Sequence, residues 1–141
     1  MWLERKKFYL DTSVWRDYFE DRSDGLKPLG LFAFEFLEKC KNRNWTIFIS
    51  PKIEQELAKD YSQDKINDCF SRYLAVIIKI QPTIKELKVA QKIWIKTNKR
   101  FPMGDIIHSV LAKNRNAILI SRDWHFKDLN LVESEFPEEI D

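Results

Sequence analysis

Apolar and polar residues alternate along this chain in two ways. Short, wholly apolar runs sit between turn-forming residues, and longer stretches carry apolar residues at helical spacing. "FYL" inside 6–10, "TIFIS" at 46–50 and "AILIS" at 117–121 read as buried strands. A fourth strand is placed around 76–80 in "AVIIKI", and a last one in "LVES" near 131–134. Helices are expected over 13–20, 29–42, from Pro51 onward, and over 64–74, 84–97 and 103–115. Thr12 or Ser13 suits the cap of the first, Ser50 with Pro51 suits the start of the third, and "TIKE" at 83–86 has capping-box spacing. Within 29–42, Leu29, Phe32, Ala33, Phe36, Leu37 and Cys40 share one face, while Leu31 and Phe34 fall on the other. Strands apolar on both faces, alternating with helices, predict an α/β fold with a parallel sheet covered on both sides.

Composition narrows the picture. The 141 residues suit one domain, 1–141, and 44% hydrophobic residues with 13% aromatics support a packed core. With 24 basic and 22 acidic residues the net charge is only +2, so any nucleic-acid surface must come from local segregation of charge. Cys40 and Cys69 have no metal or redox spacing, which fits two thiols in a reducing cytoplasm. No apolar run is long enough to span a membrane. The opening "MWLERKK" lacks the apolar core of a secretion signal. The closing stretch, Glu133 to Asp141, reads as a solvated acidic tail.

Chemistry enters through four acids. In a parallel α/β sheet, ligands bind beyond the carboxyl ends of the strands. Asp11 ends the first strand, and Asp123 follows "AILIS". Glu56 lies in the second turn of the helix leaving "TIFIS", and Asp105 in the first turn of the helix before "AILIS". Taken singly, these are a cap, a turn residue, a solvated helix residue and a partner of the helix dipole. Taken together, four carboxylates from four segments converge on one sheet edge. Such a group repels itself unless a cation neutralises it, and oxygen donors of this kind suit Mg²⁺ or Mn²⁺. The absence of a Cys/His ligand set argues against zinc.

His108, three residues after Asp105, shares its helix face and is expected to hydrogen-bond a carboxylate. Ser121, two residues before Asp123, faces the same side of its strand. Glu54 and Glu56 cannot both point inward; Glu56 is preferred because Ile53 and Leu57 then pack beside it, with Glu54 in reserve. Thr12 and Ser13 are expected to take over the capping, leaving the Asp11 carboxylate for chemistry.

The segments "FYLDTSVW", "SPKIEQEL", "FPMGDIIHSVLAKNRNAILISRDWHF" and "LVESEFPEEI" together resemble a PIN domain, above all the small VapC toxins of toxin–antitoxin pairs. The ordered set Asp-x-x-His-x-x-x-Ala and then Ile-Ser-x-Asp-x-x-Phe carries most of the likeness. The resemblance implies a three-layer α/β/α sandwich with a central parallel sheet of four or five strands. It also implies Mg²⁺- or Mn²⁺-dependent cleavage of RNA, with Asp11, Glu56, Asp105 and Asp123 as catalytic metal ligands and Ser13, His108 and Ser121 in support. A homodimer and capture by an antitoxin are implied as well, for which Leu31 and Phe34 offer an apolar surface. Two departures from the family pattern stand out: Ser121 replaces a frequent Thr, and Lys52 and Gln55 replace small or apolar residues before the acid.

For holding RNA, Arg16, Lys52, Arg122 and Lys127 lie near the acids, with Trp15 or Trp124 as stacking faces. Arg5, Lys6 and Lys7 precede the first strand and belong at the opposite edge. Rival readings are an aspartyl phosphatase, a receiver domain, a housekeeping RNA-processing nuclease and an inactive PIN-like binding module. Ser13 stands where the phosphatase needs a second acid, and "LDTS" and "LISRD" lack the receiver's adjacent acids and late lysine.

Overall fold

The runs "FYL", "TIFIS" and "AILIS" become strands whose two faces are buried by flanking strands and helices, while the "AVIIKI" run forms a largely exposed edge strand. The computed structural model describes residues 5–141. In chain order the elements are β1 (Lys7–Leu10), α1 (Thr12–Glu20), α2 (Leu29–Arg43), β2 (Thr46–Ile49), α3 (Pro51–Ala58) and α4 (Gln63–Arg72). There follow β3 (Ile77–Lys79), α5 (Ile84–Lys96), α6 (Met103–Asn114), β4 (Ile118–Ile120), α7 (His125–Leu129), β5 (Ser134–Glu135) and a 3₁₀ turn over Pro137–Glu139. The strands form one parallel sheet in the order β3-β2-β1-β4-β5. Helices cover both faces, making a three-layer α/β/α fold. The secretion-signal reading rests partly on residues 1–4, which lie outside the described residues; no described helix is long and apolar enough to cross a membrane.

β1 shows how the layers are built. Successive strand residues point to opposite faces. Phe8 meets Phe36 of α2 edge-to-face, with ring centroids 5.0 Å apart, whereas Tyr9 points the other way and reaches His108 of α6. α1 packs on α2, and α5 packs on α6. The larger apolar core joins Val14, Trp15, Phe36, Leu37, Ile53, Leu57 and Phe70; a smaller one joins Ala90, Phe101, Ile106 and Val110. The capping box at Thr83 and Glu86 has both arms in place and is extended by Arg115, 2.9 Å from Glu86.

Several expectations change. The last strand, expected near 131–134, is shorter and begins only at Ser134, because an unexpected short helix, α7, and its turn occupy the chain before it. The closing stretch is not a solvated tail. Ile140 is buried, Lys39 Nζ donates to its carbonyl at 2.7 Å, and Glu138 pairs with Arg122. Its acids were legible, but its apolar residues, spaced between them, dock it on α2. Trp15 is fully buried against Phe70 and offers no stacking face. Leu31 and Phe34 are indeed exposed on α2. Cys40 and Cys69 are free, buried, and pushed up to about 12 by burial, which leaves them unreactive.

Candidate active site at the carboxyl edge of the sheet

The chain leaves β1 toward one side of the sheet, through β2 to β3, and returns to add β4 and β5 on the other. The crevice between the ends of β1 and β4 is therefore the topological switch point, where such sheets bind ligands. Asp11 is the first residue after β1, and Asp123 lies just past β4. Glu56 on α3 and Asp105 on α6 complete the edge. Asp11, Glu56 and Asp105 share the wall of one open pocket of about 480 Å³, with Thr12, Arg16, Lys52 and Lys59.

Ligand-capable atoms gather in two trios. Asp11, Glu56 and His108 each bring one atom within 4.8 Å of the others, and so do Asp105, Asp123 and His125. Asp105 feels Asp11, Asp123 and Glu56 as like charges, so the two trios form one electrostatic group. Burial and then the charges of Asp11 and Asp123 raise its carboxyl from 3.8 to about 6.

The cap expectation fails here. Asp11, not Thr12 or Ser13, occupies the N-cap of α1, with its carboxylate facing the Ser13 amide at 3.4 Å. The two hydroxyls serve the acids instead. Ser13 Oγ donates to Asp11 Oδ2 at 2.8 Å, and Ser121 Oγ donates to the same oxygen at 2.9 Å. Thr12 Oγ1 donates to Glu56 Oε2. A cap residue uses one carboxylate oxygen, and here that oxygen is Oδ2, so capping and metal binding are compatible at Asp11.

Glu56 is fixed from its other side by His108, whose Nε2 lies 3.1 Å from Oε1. His108 Nδ1 meets the Tyr9 hydroxyl at 2.6 Å, and that hydroxyl meets Ser50 Oγ at 2.6 Å. One proton arrangement satisfies the whole row: Ser50 donates to Tyr9, Tyr9 to Nδ1, and Nε2–H to the Glu56 carboxylate. Both ring nitrogens are then used, so His108 orients Glu56 and is not itself a ligand. Burial would raise Glu56, but the hydrogen bonds from His108 and Thr12 outweigh it and hold the carboxyl below its usual range. Burial also holds the Tyr9 phenol protonated, well above its usual range.

Tyr9, Ser50 and Thr12 are the supporting residues that reading the sequence missed. Tyr9 sat inside an apolar strand and Ser50 looked like an ordinary cap; the signal was a phenol in a buried run, which requires a polar partner. Gly104 was missed too. A Cβ there would stand 3.2 Å from Lys52 Cε and 3.5 Å from Glu56 Oε1, so a side chain before Asp105 would press on the lysine and glutamate of the pocket wall.

The basic candidates separate. Lys52 lines the acidic pocket. Arg16 lines it as well, but its guanidinium pairs with Asp60 and donates to the Glu56 carbonyl at 3.1 Å. Arg122 turns away, clamped 2.7 Å from Glu138 and 3.5 Å from Asp17, while its backbone amide donates to Ser13 Oγ at 3.2 Å. Lys127 lies over the Phe136 ring, 5.7 Å from its centroid. Glu54 pairs with Lys79 at 3.0 Å, outside the acidic pocket. Lys6 lies over Trp45 beside the start of β1, at the far edge.

A family model for the PIN domain matches residues 8–131. The chain belongs to the PIN-domain family. That membership places it among hydrolytic nucleases, and its acidic cluster is of the kind that can hold the divalent metal on which PIN domains depend. Solved structures share the fold. VapBC2 from Rickettsia felis, bound to a DNA fragment from its promoter, aligns with a TM-score of 0.68 at 18% identity, covering 92% of this chain and 98% of that one. DNA-bound VapBC from Salmonella typhimurium gives 0.68 at 13%, covering 94% and 98%. VapC20 from Mycobacterium tuberculosis, a toxin that cleaves the sarcin–ricin loop, gives 0.67 at 13%, covering 89% and 97%. No curated protein matches the chain significantly.

Proposed function

We propose that this PIN domain is a Mg²⁺- or Mn²⁺-dependent endoribonuclease and the toxin of a VapBC-type pair, held in check by an antitoxin and acting as a homodimer. The observation that carries the nuclease reading is the charge conflict at the switch point: four acids from four segments, with Asp105 raised to about 6 by burial and its neighbours. A fold keeps such a conflict where a cation resolves it. The toxin reading draws its support from the structural likeness to VapBC and VapC20.

The donor set fits a hard divalent cation. It is made of carboxylate oxygens, and the one buried imidazole, His108, is already committed to Tyr9 and Glu56. Asp11, Glu56, Asp105 and Asp123 are the residues that would hold it. Once bound, such a cation polarises a phosphoryl oxygen and makes water a better nucleophile. The chain's own groups do the rest. Thr12 and His108 lock Glu56, and Ser13 and Ser121 lock Asp11, so neither carboxylate must reorganise when substrate arrives. Lys52 and Lys59 on the pocket wall offset phosphate charge.

The test is cleavage of single-stranded RNA with Mg²⁺ or Mn²⁺ and with chelator, alongside Asp105→Asn. Metal-dependent cleavage lost in the variant is expected; cleavage that survives chelation or the substitution overturns the assignment. Millimolar cation should also raise the melting temperature of the parent.

A further inference from the structure

Next to the acidic pocket, and sharing Pro102 with it, lies a second hollow of about 180 Å³, lined by Arg100, Phe101, Pro102, Trp124, His125 and Asp128. Its most unusual wall is Trp124, which is 62% exposed. Trp15 and Trp45 are buried, at 0% and 8%, so the fold can bury indole, yet Trp124 belongs to neither apolar core. An indole left in water on a nuclease-like edge calls for a ligand with a flat apolar face.

The neighbours supply the rest of such a site. The Trp124 and His125 rings stand 5.1 Å apart. His125 is fastened to the acidic group, with Nδ1 3.0 Å from Asp123 Oδ1 and its amide donating to the same oxygen at 2.9 Å. Across the hollow, the Arg100 guanidinium lies over the Phe101 ring at 4.6 Å, presenting a flat cation. An aromatic face, a planar cation and a wall shared with the acidic pocket at Pro102 match a nucleotide: base on indole, backbone phosphate toward arginine.

We propose that this hollow is a nucleobase subsite, in which the base next to the cleaved phosphodiester of a single-stranded RNA stacks on Trp124. The inference rests on the nuclease reading and deepens it by assigning a binding position. It makes the enzyme's grip depend on a base being unpaired at one place, since a base held in a duplex cannot turn its face to the indole.

The experiment uses the full chain made cleavage-silent by Asp11→Asn, in Mg²⁺, with a short fluorescent single-stranded RNA of mixed sequence. Binding by anisotropy is compared for that protein, for the same protein with Trp124→Ala, and with Trp124→Phe. Stacking predicts that Trp124→Ala weakens binding roughly 5- to 100-fold, that Trp124→Phe recovers most of it, and that melting temperature is unchanged. An RNA series with one abasic position, moved along the strand, should contain one position whose loss matches the Trp124→Ala loss and adds nothing to it. Equal binding by the alanine variant, or abasic losses that simply add, overturns the subsite and leaves the nuclease reading standing. Cation-dependent cleavage by the unsubstituted chain is measured in parallel; its absence, with no RNA binding by the silent protein, overturns both.

Discussion

Asp11 and Glu56 meet on one side of the site, Asp105 and Asp123 on the other, and the protein treats the two pairs differently. The first pair is wired. Each of its carboxylates accepts two side-chain hydrogen bonds, and behind Glu56 stands a buried row of His108, Tyr9 and Ser50. The result is a glutamate held ionised despite burial. In the second pair, no side-chain hydrogen bond among the described residues reaches the Asp105 carboxylate, and Asp123 is served by His125, itself half exposed. The result is an aspartate raised to about 6. One half of the site is preorganised and the other is left in tension, so stability should respond oppositely to changes in the two halves, while cleavage should fall with a change in either.

The largest expected effect comes from Asp11→Asn. It keeps an acceptor for Ser13 and Ser121 and therefore the fold, but cleavage should fall by on the order of 10³-fold, as for loss of a preorganised charged group. Retained activity, with an unchanged circular-dichroism melt, would break the assignment of the wired half. Tyr9→Phe comes next. It leaves Ser50 and His108 Nδ1 buried without a partner, so unfolding in denaturant should show a loss of about 1–3 kcal/mol. A neutral result would mean that the row does not support Glu56.

Asp105→Asn sharpens the contrast because its sign is reversed. It relieves a half-buried, repelled carboxylate, so without metal near neutral pH the variant should be more stable than the parent, by at most about 2 kcal/mol after discounting for solvent screening, while losing cleavage. The pH dependence follows. Asp105 in the folded chain holds its proton more tightly than in the unfolded chain, about 6 against 3.8. Between these values the folded state binds more protons, so metal-free stability falls as pH rises from about 4 to 6 and then levels. Glu56 acts the other way, its contribution present above the ordinary carboxylate range and lost as pH falls from there through its lowered folded-state value. Melting curves across this range, for parent and Asp105→Asn, should differ in slope between pH 4 and 6; identical slopes would remove the tension from Asp105. The smallest effect is expected from His125→Ala, whose half-exposed ring should change stability by no more than about 0.5 kcal/mol.

The same contrast explains what the sequence revealed. Strand positions were legible because their apolar runs need no distant partner to be recognised, and the acids were legible because each lies just past a strand or within the first two turns of a helix at the sheet edge. The bond from His108 to a carboxylate was legible from its spacing to Asp105, but the rest of the wiring was not, since it joins residues across the sheet: Tyr9 to His108, Thr12 to Glu56, Ser121 to Asp11. Thr12 and Ser13 have the local pattern of caps, and only the approach of α3 and of β4 turns their hydroxyls to other work. The closing segment was misread for a related reason. Its acids dominate the local composition, but Ile140 and the Arg122–Glu138 pair give it a docking place that composition does not register.

The hydrogen bond from Ser121 to Asp11 joins residues 110 positions apart. Closing so long a loop is slow and entropically costly, and β1 gains its second neighbour only when β4 arrives. The reactive edge is therefore a late product of folding. Thr12 can reach Glu56 once α1 and α3 pack, but Ser121 and Asp123 join them only at the seam between β1 and β4. The four acids are therefore gathered in full only when the sheet itself is complete.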